Sequence, residues 1–190
     1  IDDEKFLENG AEFFSDKEKI IKESDILLQL NLPDEKHLKN LAPNKNLIGV
    51  FDPINNKDSI SKLAEKNINV FSLELLPRIT RAQSMDILSS QANLAGYKAV
   101  IDAFSFFNKA IPMMMTAAGT VPAAKVLVVG AGVAGLQAIA TAKRMGAIVF
   151  ATDVRMASKE QVESLGGKFL VVEGSENLET SGGYAKEASV

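Results

Sequence analysis

Residues 125–153 constrain this chain more than any other stretch. They read KVLVVGAGVAGLQAIATAKRMGAIVFATD. Residues 126–129 are uncharged and mostly β-branched, which suits a buried parallel strand. Gly130-Ala131-Gly132-Val133-Ala134-Gly135 follows at once and is a G-x-G-x-x-G. Apolar residues then recur at helical spacing through 136–145, and Gly146 supplies a C-terminal stop. Residues 147–152 read as a second strand, closed by Asp153. Strand, glycine turn, helix, strand and acid make one βαβ unit.

Each residue type has a physical reason. Gly130 permits the tight turn, Gly132 lets a pyrophosphate approach the backbone, and Gly135 allows helix to pack closely on strand. The helix N-terminus offers N–H donors and the positive end of its dipole to phosphates. Asp153 is placed to accept hydrogen bonds from the adenosine ribose hydroxyls, and its charge would repel a 2′-phosphate. The unit therefore reads as a site for NAD(H) rather than NADP(H). The competing reading is a glycine-rich helix–sheet contact with no ligand.

Composition excludes more than it assigns. A net charge of −3 over 190 residues gives no basis for binding nucleic acid or an anionic membrane surface. The chain has no cysteine, so disulfides and thiolate chemistry are excluded, and no metal site is expected. The longest uncharged run, residues 126–142, falls short of the ~20 residues of a bilayer-spanning helix.

Taken in order, residues 2–9 read as a short polar helix and 17–23 as a second, capped by Ser15-Asp16. Strands are expected at 25–30, 46–51 and 69–73, and helices at 33–41 and 58–66. This β-then-α rhythm predicts a parallel-sheet domain without a glycine fingerprint of its own. The fold class is therefore α/β, with two parallel-sheet Rossmann-like domains joined by a long helix. The first spans residues 1–118 and carries that helix; the second spans 119–190. Only three strands can be found from residue 126 onward, against about six in a full doubly wound domain. The second domain thus reads as incomplete, and the chain as a fragment.

Residues 74–93, ELLPRITRAQSMDILSSQAN, break the rhythm. From about Gln83, Met85, Leu88, Ala92, Ala95 and Ala99 fall at helical spacing. Gln83, Asp86 and Ser89 or Ser90 are about three apart and are expected on one helical face. Such a face either hydrogen-bonds a nicotinamide and its ribose or is simply solvated. Three consecutive methionines, Met113 to Met115, suggest adaptable core or interdomain packing. Ser158 and Gln161 read as a capping box for a helix over 158–165. Arg155 reads either as a cation near the ribose or phosphate or as a surface arginine. Ser181-Gly182-Gly183-Tyr184 reads as a flap over a ligand or a plain connector.

The block PRITRAQSMDILSSQANLAGYKAVIDA at residues 77–103, with PMMMTAAGTVPAAKVLVVGAGVAGLQAIATAKRMGA and ATDVR after it, carries a resemblance. It closely resembles the NAD(H)-binding domain of the alpha subunit in the proton-translocating nicotinamide nucleotide transhydrogenase family. The likeness covers most of the chain and is densest over residues 75–169. It implies that Arg78, Gln83 and Asp86, followed by Ser89, grip the nicotinamide end of the cofactor. It also implies turn contacts at Ala131, Gly132 and Val133, ribose contacts at Asp153, Val154 and Arg155, and a mobile-loop Gly-Tyr at Gly183 and Tyr184. Between 168 and 184 the chain is slightly shorter than the family pattern.

The activity so implied is direct hydride transfer between NAD(H) here and NADP(H) on a partner domain, coupled to proton movement through a membrane domain. The family's partners are that NADP(H)-binding domain, the membrane domain and a second copy of this domain. Its place is peripheral, on the cytoplasmic or matrix face of the inner membrane. Transfer between two nicotinamides needs no general acid or base. The single histidine, His37, sits in a charged stretch, DEKHLKN, and reads as a surface residue. Two alternatives remain: an alanine dehydrogenase-like amino-acid oxidoreductase, which needs a proton-handling side chain, and a non-catalytic NAD-binding module. The 190 residues alone are expected to bind NADH weakly, to associate and to be inactive.

Overall fold

The computed structural model describes residues 2–77 and 79–171. The backbone divides into two compact units, Ile1–Ile87 and Leu88–Val190.

The first unit begins with helices α1 (Asp3–Glu8) and α2 (Lys17–Glu23). The Asp16 carboxylate caps α2 by accepting from the N–H groups of Glu18 and Lys19, which removes two orphan donors. Strand β1 (Ile26–Leu28), helix α3 (Glu35–Asn40), strand β2 (Asn46–Gly49), helix α4 (Lys57–Glu65) and strand β3 (Asn69–Ser72) follow. The three strands are parallel, in the order β1-β2-β3, with Leu27 opposite Leu47 and Leu47 opposite Val70. Leu27 and Leu47 point into a core completed by Ile21, Leu41, Phe51 and Leu63. The alternate residues Ile26, Leu28 and Phe71 are exposed. His37 is turned onto the cap of α3, its Nδ1 lying 2.7 Å from Asp34 Oδ1.

The second unit opens with α5 (Ile87–Phe106), a twenty-residue helix. A short antiparallel hairpin follows, β4 (Met114–Thr116) and β5 (Gly119–Val121). Then come β6 (Lys125–Val129), α6 (Val133–Arg144), β7 (Ile148–Thr152), α7 (Ser158–Ser164) and β8 (Lys168–Phe169). The parallel sheet runs β6-β7-β8. Ile139, Ala142, Val149, Ala151 and Val162 are at the centre of its core. Among the described residues no helix is long and apolar enough to cross a membrane.

The division between compact units falls ahead of the long helix, between Ile87 and Leu88. Close packing ties α5 to the glycine turn: a Cβ on Gly96 of α5 would stand 2.0 Å from the Ala134 carbonyl oxygen of α6. Three expectations meet a different structure. Met113, Met114 and Met115 are exposed, so the core alternative fails for them; Met114 and Met115 lie in the two-stranded β4–β5 hairpin. Ser158 is no capping residue: α7 has no side-chain cap. A helical backbone turn leads into it instead, with Ser158 N–H donating to Arg155 O at 3.1 Å. Finally, β6 is not buried. Among the described residues it pairs only with β7, and Leu127 and Val129 are exposed.

Candidate functional site

The glycine turn is shaped by backbone contact. Gly130 has a φ of +91°, and a Cβ on Gly135 would stand 1.8 Å from the Gly130 carbonyl oxygen. The turn therefore closes only while residue 135 lacks a side chain. Gly132 is the N-cap of α6, and among the described residues no side chain caps that helix. The first-turn N–H groups are thus left without a side-chain acceptor, the condition under which a helix N-terminus receives an anion. Val133, the first residue of α6, is exposed beside them.

Asp153 follows the last residue of β7, and the fold binds it to the turn. Gly130 N–H donates to Thr152 O at 2.8 Å, which extends the β6–β7 pairing past the strand end. Ala131 N–H donates to Asp153 Oδ2 at 2.6 Å. The other oxygen, Oδ1, accepts from Arg155 N–H at 2.8 Å and from Arg155 Nε at 2.9 Å. Arg155 Nη2 reaches Oδ2 at 2.9 Å. The Asp153 side chain is 5% exposed. The Arg155 guanidinium is the largest influence on its titration. Burial works the other way, the two main-chain donors reinforce the arginine, and the carboxyl is pushed down to about 2. Val154 is exposed between these two partners.

The structure thus brings Gly130, Ala131, Gly132, Gly135, Asp153 and Arg155 together. These residues fit a dinucleotide: an uncapped helix N-terminus, a turn without side chains and a buried ionised acid at the next strand end. The polar residues near 83 are arranged differently from the expectation. Gln83 is exposed in a 3₁₀ turn, Thr80–Met85, and Asp86 terminates it with φ −75° and ψ 88°. Ser89 lies beyond, inside α5. Gln83, Asp86 and Ser89 therefore do not share one helical face. The reason is local, since an aspartate competes with helix through its own side chain and favours turn and cap positions. Arg78, Gly183 and Tyr184 lie outside the described residues.

Two features of the structure go beyond the sequence expectations. Gly96 sits mid-helix, where glycine costs about 1 kcal/mol against alanine. That cost is the signal, and its contact with Ala134 is the packing reason. Glu74 gives no sequence signal. Its carboxylate Oε1 accepts from Phe51 N–H at 2.9 Å and from Asp52 N–H, tying the end of β3 to the loop after β2.

Residues 1–95 match the family model described as alanine dehydrogenase/PNT, N-terminal domain, and residues 99–188 match alanine dehydrogenase/PNT, C-terminal domain. An NAD(P) transhydrogenase subunit alpha protein of Rhodospirillum rubrum is 65% identical over 136 residues, covering 70% of this chain and 35% of that protein. The protein of the same name from Rickettsia prowazekii is 49% identical over 191 residues, covering 98% of this chain and 50% of that one. The crystal structure of transhydrogenase from Sinorhizobium meliloti is similar with a TM-score of 0.83 at 53% identity, covering 92% of this chain and 50% of that one. The chain spans half or less of the length of these relatives. Matched in chain order from residue 1 to residue 188, it belongs to the alanine dehydrogenase/PNT family.

Proposed function

We propose that this chain is the NAD(H)-binding part of a proton-translocating transhydrogenase. One observation carries the reading: the buried Asp153 carboxylate, 2.6 Å from Ala131 N–H, stands beside an uncapped helix N-terminus. That is the pairing a dinucleotide's ribose and pyrophosphate require. The name shared by the Rhodospirillum and Rickettsia relatives supports transhydrogenation in particular.

When bound, the nicotinamide supplies or takes the hydride. This chain's residues then bind and orient. Ala131, Gly132 and Val133 present main-chain donors to the pyrophosphate. Asp153, Val154 and Arg155 hold the adenosine end, and the charge of Asp153 disfavours a 2′-phosphate. Arg78, Gln83, Asp86 and Ser89 hold the nicotinamide end, and Gly183 and Tyr184 close over it. Hydride exchange with NADP(H) on a partner domain releases no substrate proton, so positioning and exclusion of water are the task. The partners are that NADP(H) domain, a membrane domain coupling the exchange to proton movement, and a second copy of this domain. The chain is then peripheral to the inner membrane, on its cytoplasmic or matrix face.

The test expresses the protein with any contiguous coding sequence included. Calorimetry should show tighter binding of NADH than of NADPH, and mixing with a purified NADP(H) domain should give hydride exchange. Tighter binding of NADPH removes the reading. Oxidation of an amino acid in place of exchange would turn it toward alanine dehydrogenase chemistry.

A further inference from the structure

We propose that Glu74 is a positioning residue for the nicotinamide end of the cofactor: its carboxylate pins the start of the segment that carries Gln83 and Asp86 to the turn after β2. The proposal deepens the nucleotide reading above and rests on it.

The anchor is a fixed piece of structure. The main-chain N–H groups of Phe51 and Asp52 converge on one oxygen, Glu74 Oε1, the first at 2.9 Å. Successive backbone donors of this kind make a concave anion site, and the anion here is the protein's own side chain. Phe51 is 1% exposed and belongs to the core of its unit. Its ring lies so close to β2 that a Cβ on Gly49 would stand 2.5 Å from it. Asn56 braces the same turn, its Nδ2 donating to Phe51 O and its N–H to Asp52 O, each at 2.9 Å. Asp52 takes a left-handed φ of +44°, which a non-glycine residue keeps only where its surroundings impose it.

The segment tied to this anchor has little to hold it by itself. Glu74 lies in a 3₁₀ turn, Leu73–Leu75, just past the end of β3. From there to Asp86 the main-chain hydrogen bonds among the described residues are local: Ile79 N–H to Pro77 O, Ala82 N–H to Ile79 O and Asp86 N–H to Gln83 O. Ala82 is the buried residue of the turn Thr80–Met85, while Ile79 and Met85 are exposed. Short-range 3₁₀ bonds and little buried surface make a segment that opens locally. Its placement therefore depends on the tie at its start. The second oxygen, Glu74 Oε2, is buried with no hydrogen-bond partner among the described residues. A buried polar atom left unpaired costs stability. The glutamate thus serves where it holds the chain, at some expense to the fold.

The test compares the unmutated protein with Glu74→Ala, Glu74→Asp and Glu74→Gln, each expressed with any contiguous coding sequence. NADH and ADP-ribose, the same nucleotide without its nicotinamide, are titrated by calorimetry, and hydrogen exchange is followed over residues 79–86 with each. In the unmutated protein NADH should protect 79–86 and ADP-ribose should not. Glu74→Ala should exchange faster there, lose the NADH-specific protection, and bind NADH about tenfold more weakly with ADP-ribose affinity unchanged. Glu74→Gln keeps an acceptor oxygen at the same reach and should restore the protection. Glu74→Asp falls one methylene short, should behave as the alanine variant, and carries the test where that variant fails to fold. A merely structural glutamate would weaken both ligands alike or neither, so either result in the folded variants, with NADH-specific protection kept, overturns the positioning role alone. Equal protection of 79–86 by NADH and ADP-ribose in the unmutated protein, or binding of neither, overturns the nucleotide reading at this segment and the proposal with it.

Discussion

Asp153 gives the site a titratable handle. Its carboxyl is lowered from 3.8 to about 2, first by the Arg155 guanidinium. A depressed folded-state value means that the stabilisation is fully present above the unfolded value. It is then lost as pH falls through the folded value. The expected loss from this one group is about 2 kcal/mol between pH ~5 and pH ~2. Denaturant midpoints measured across that window should fall less steeply in Asp153→Asn than in the unmutated protein. Equal slopes would show that the ionised acid adds no stability. A second prediction concerns Gln83, exposed in its 3₁₀ turn. If it orients the nicotinamide, Gln83→Ala should slow single-turnover hydride transfer by as much as ~10²-fold while leaving NADH affinity nearly intact. Unchanged transfer would reduce it to a turn residue.

Helices and strands differ in how openly the sequence declares them. Residues 125–153 are legible because periodicity, glycines and a terminal acid all point one way, and α6 ends at Gly146 with a φ of +87° as its sequence demands. The site's acid and turn are legible for the same reason. The Arg155 fork is not, because composition cannot tell whether an arginine two residues from an aspartate faces it or water. Residues 83–86 mimic the start of the long helix, since Met85 and Leu88 fit helical spacing while the break is made by the backbone at Asp86. The methionine run becomes a hairpin because Gly119, with a φ of +136°, supplies a turn that hydrophobicity alone does not announce. At this scale the Gly96–Ala134 crossing is the sharpest test. Gly96→Val forces a side chain against the Ala134 backbone and should cost about 1–3 kcal/mol. It should also weaken NADH binding, because Ala134 lies in the first turn of α6. Full stability in the variant would mean that α5 and α6 slide apart freely.

Across the whole chain, both parallel sheets leave apolar surface open. Parallel sheets are ordinarily covered on both faces. Here Ile26 and Leu28 are exposed on one sheet, and Leu127 and Val129 are 58% and 78% exposed on the other. Among the described residues β6 also has one unpaired edge, a template for adventitious pairing. The purified 190 residues should therefore self-associate in sedimentation velocity, and the double variant Leu127→Lys, Val129→Lys should sediment more nearly as a monomer. A monodisperse unmutated monomer would show that this surface is harmless.

The strand orders have a consequence for how the chain comes into being. In each parallel sheet every strand pairs with the next one in sequence, β1 with β2, β2 with β3, β6 with β7 and β7 with β8. None of these pairings waits for a segment synthesised much later: each ladder closes over one crossover, which is the lowest contact order a parallel sheet allows. On a ribosome the described strands of the first sheet are all translated by Ser72, before Gly130. Their pairing can therefore begin ahead of the glycine turn, because N-terminal segments leave the ribosome first.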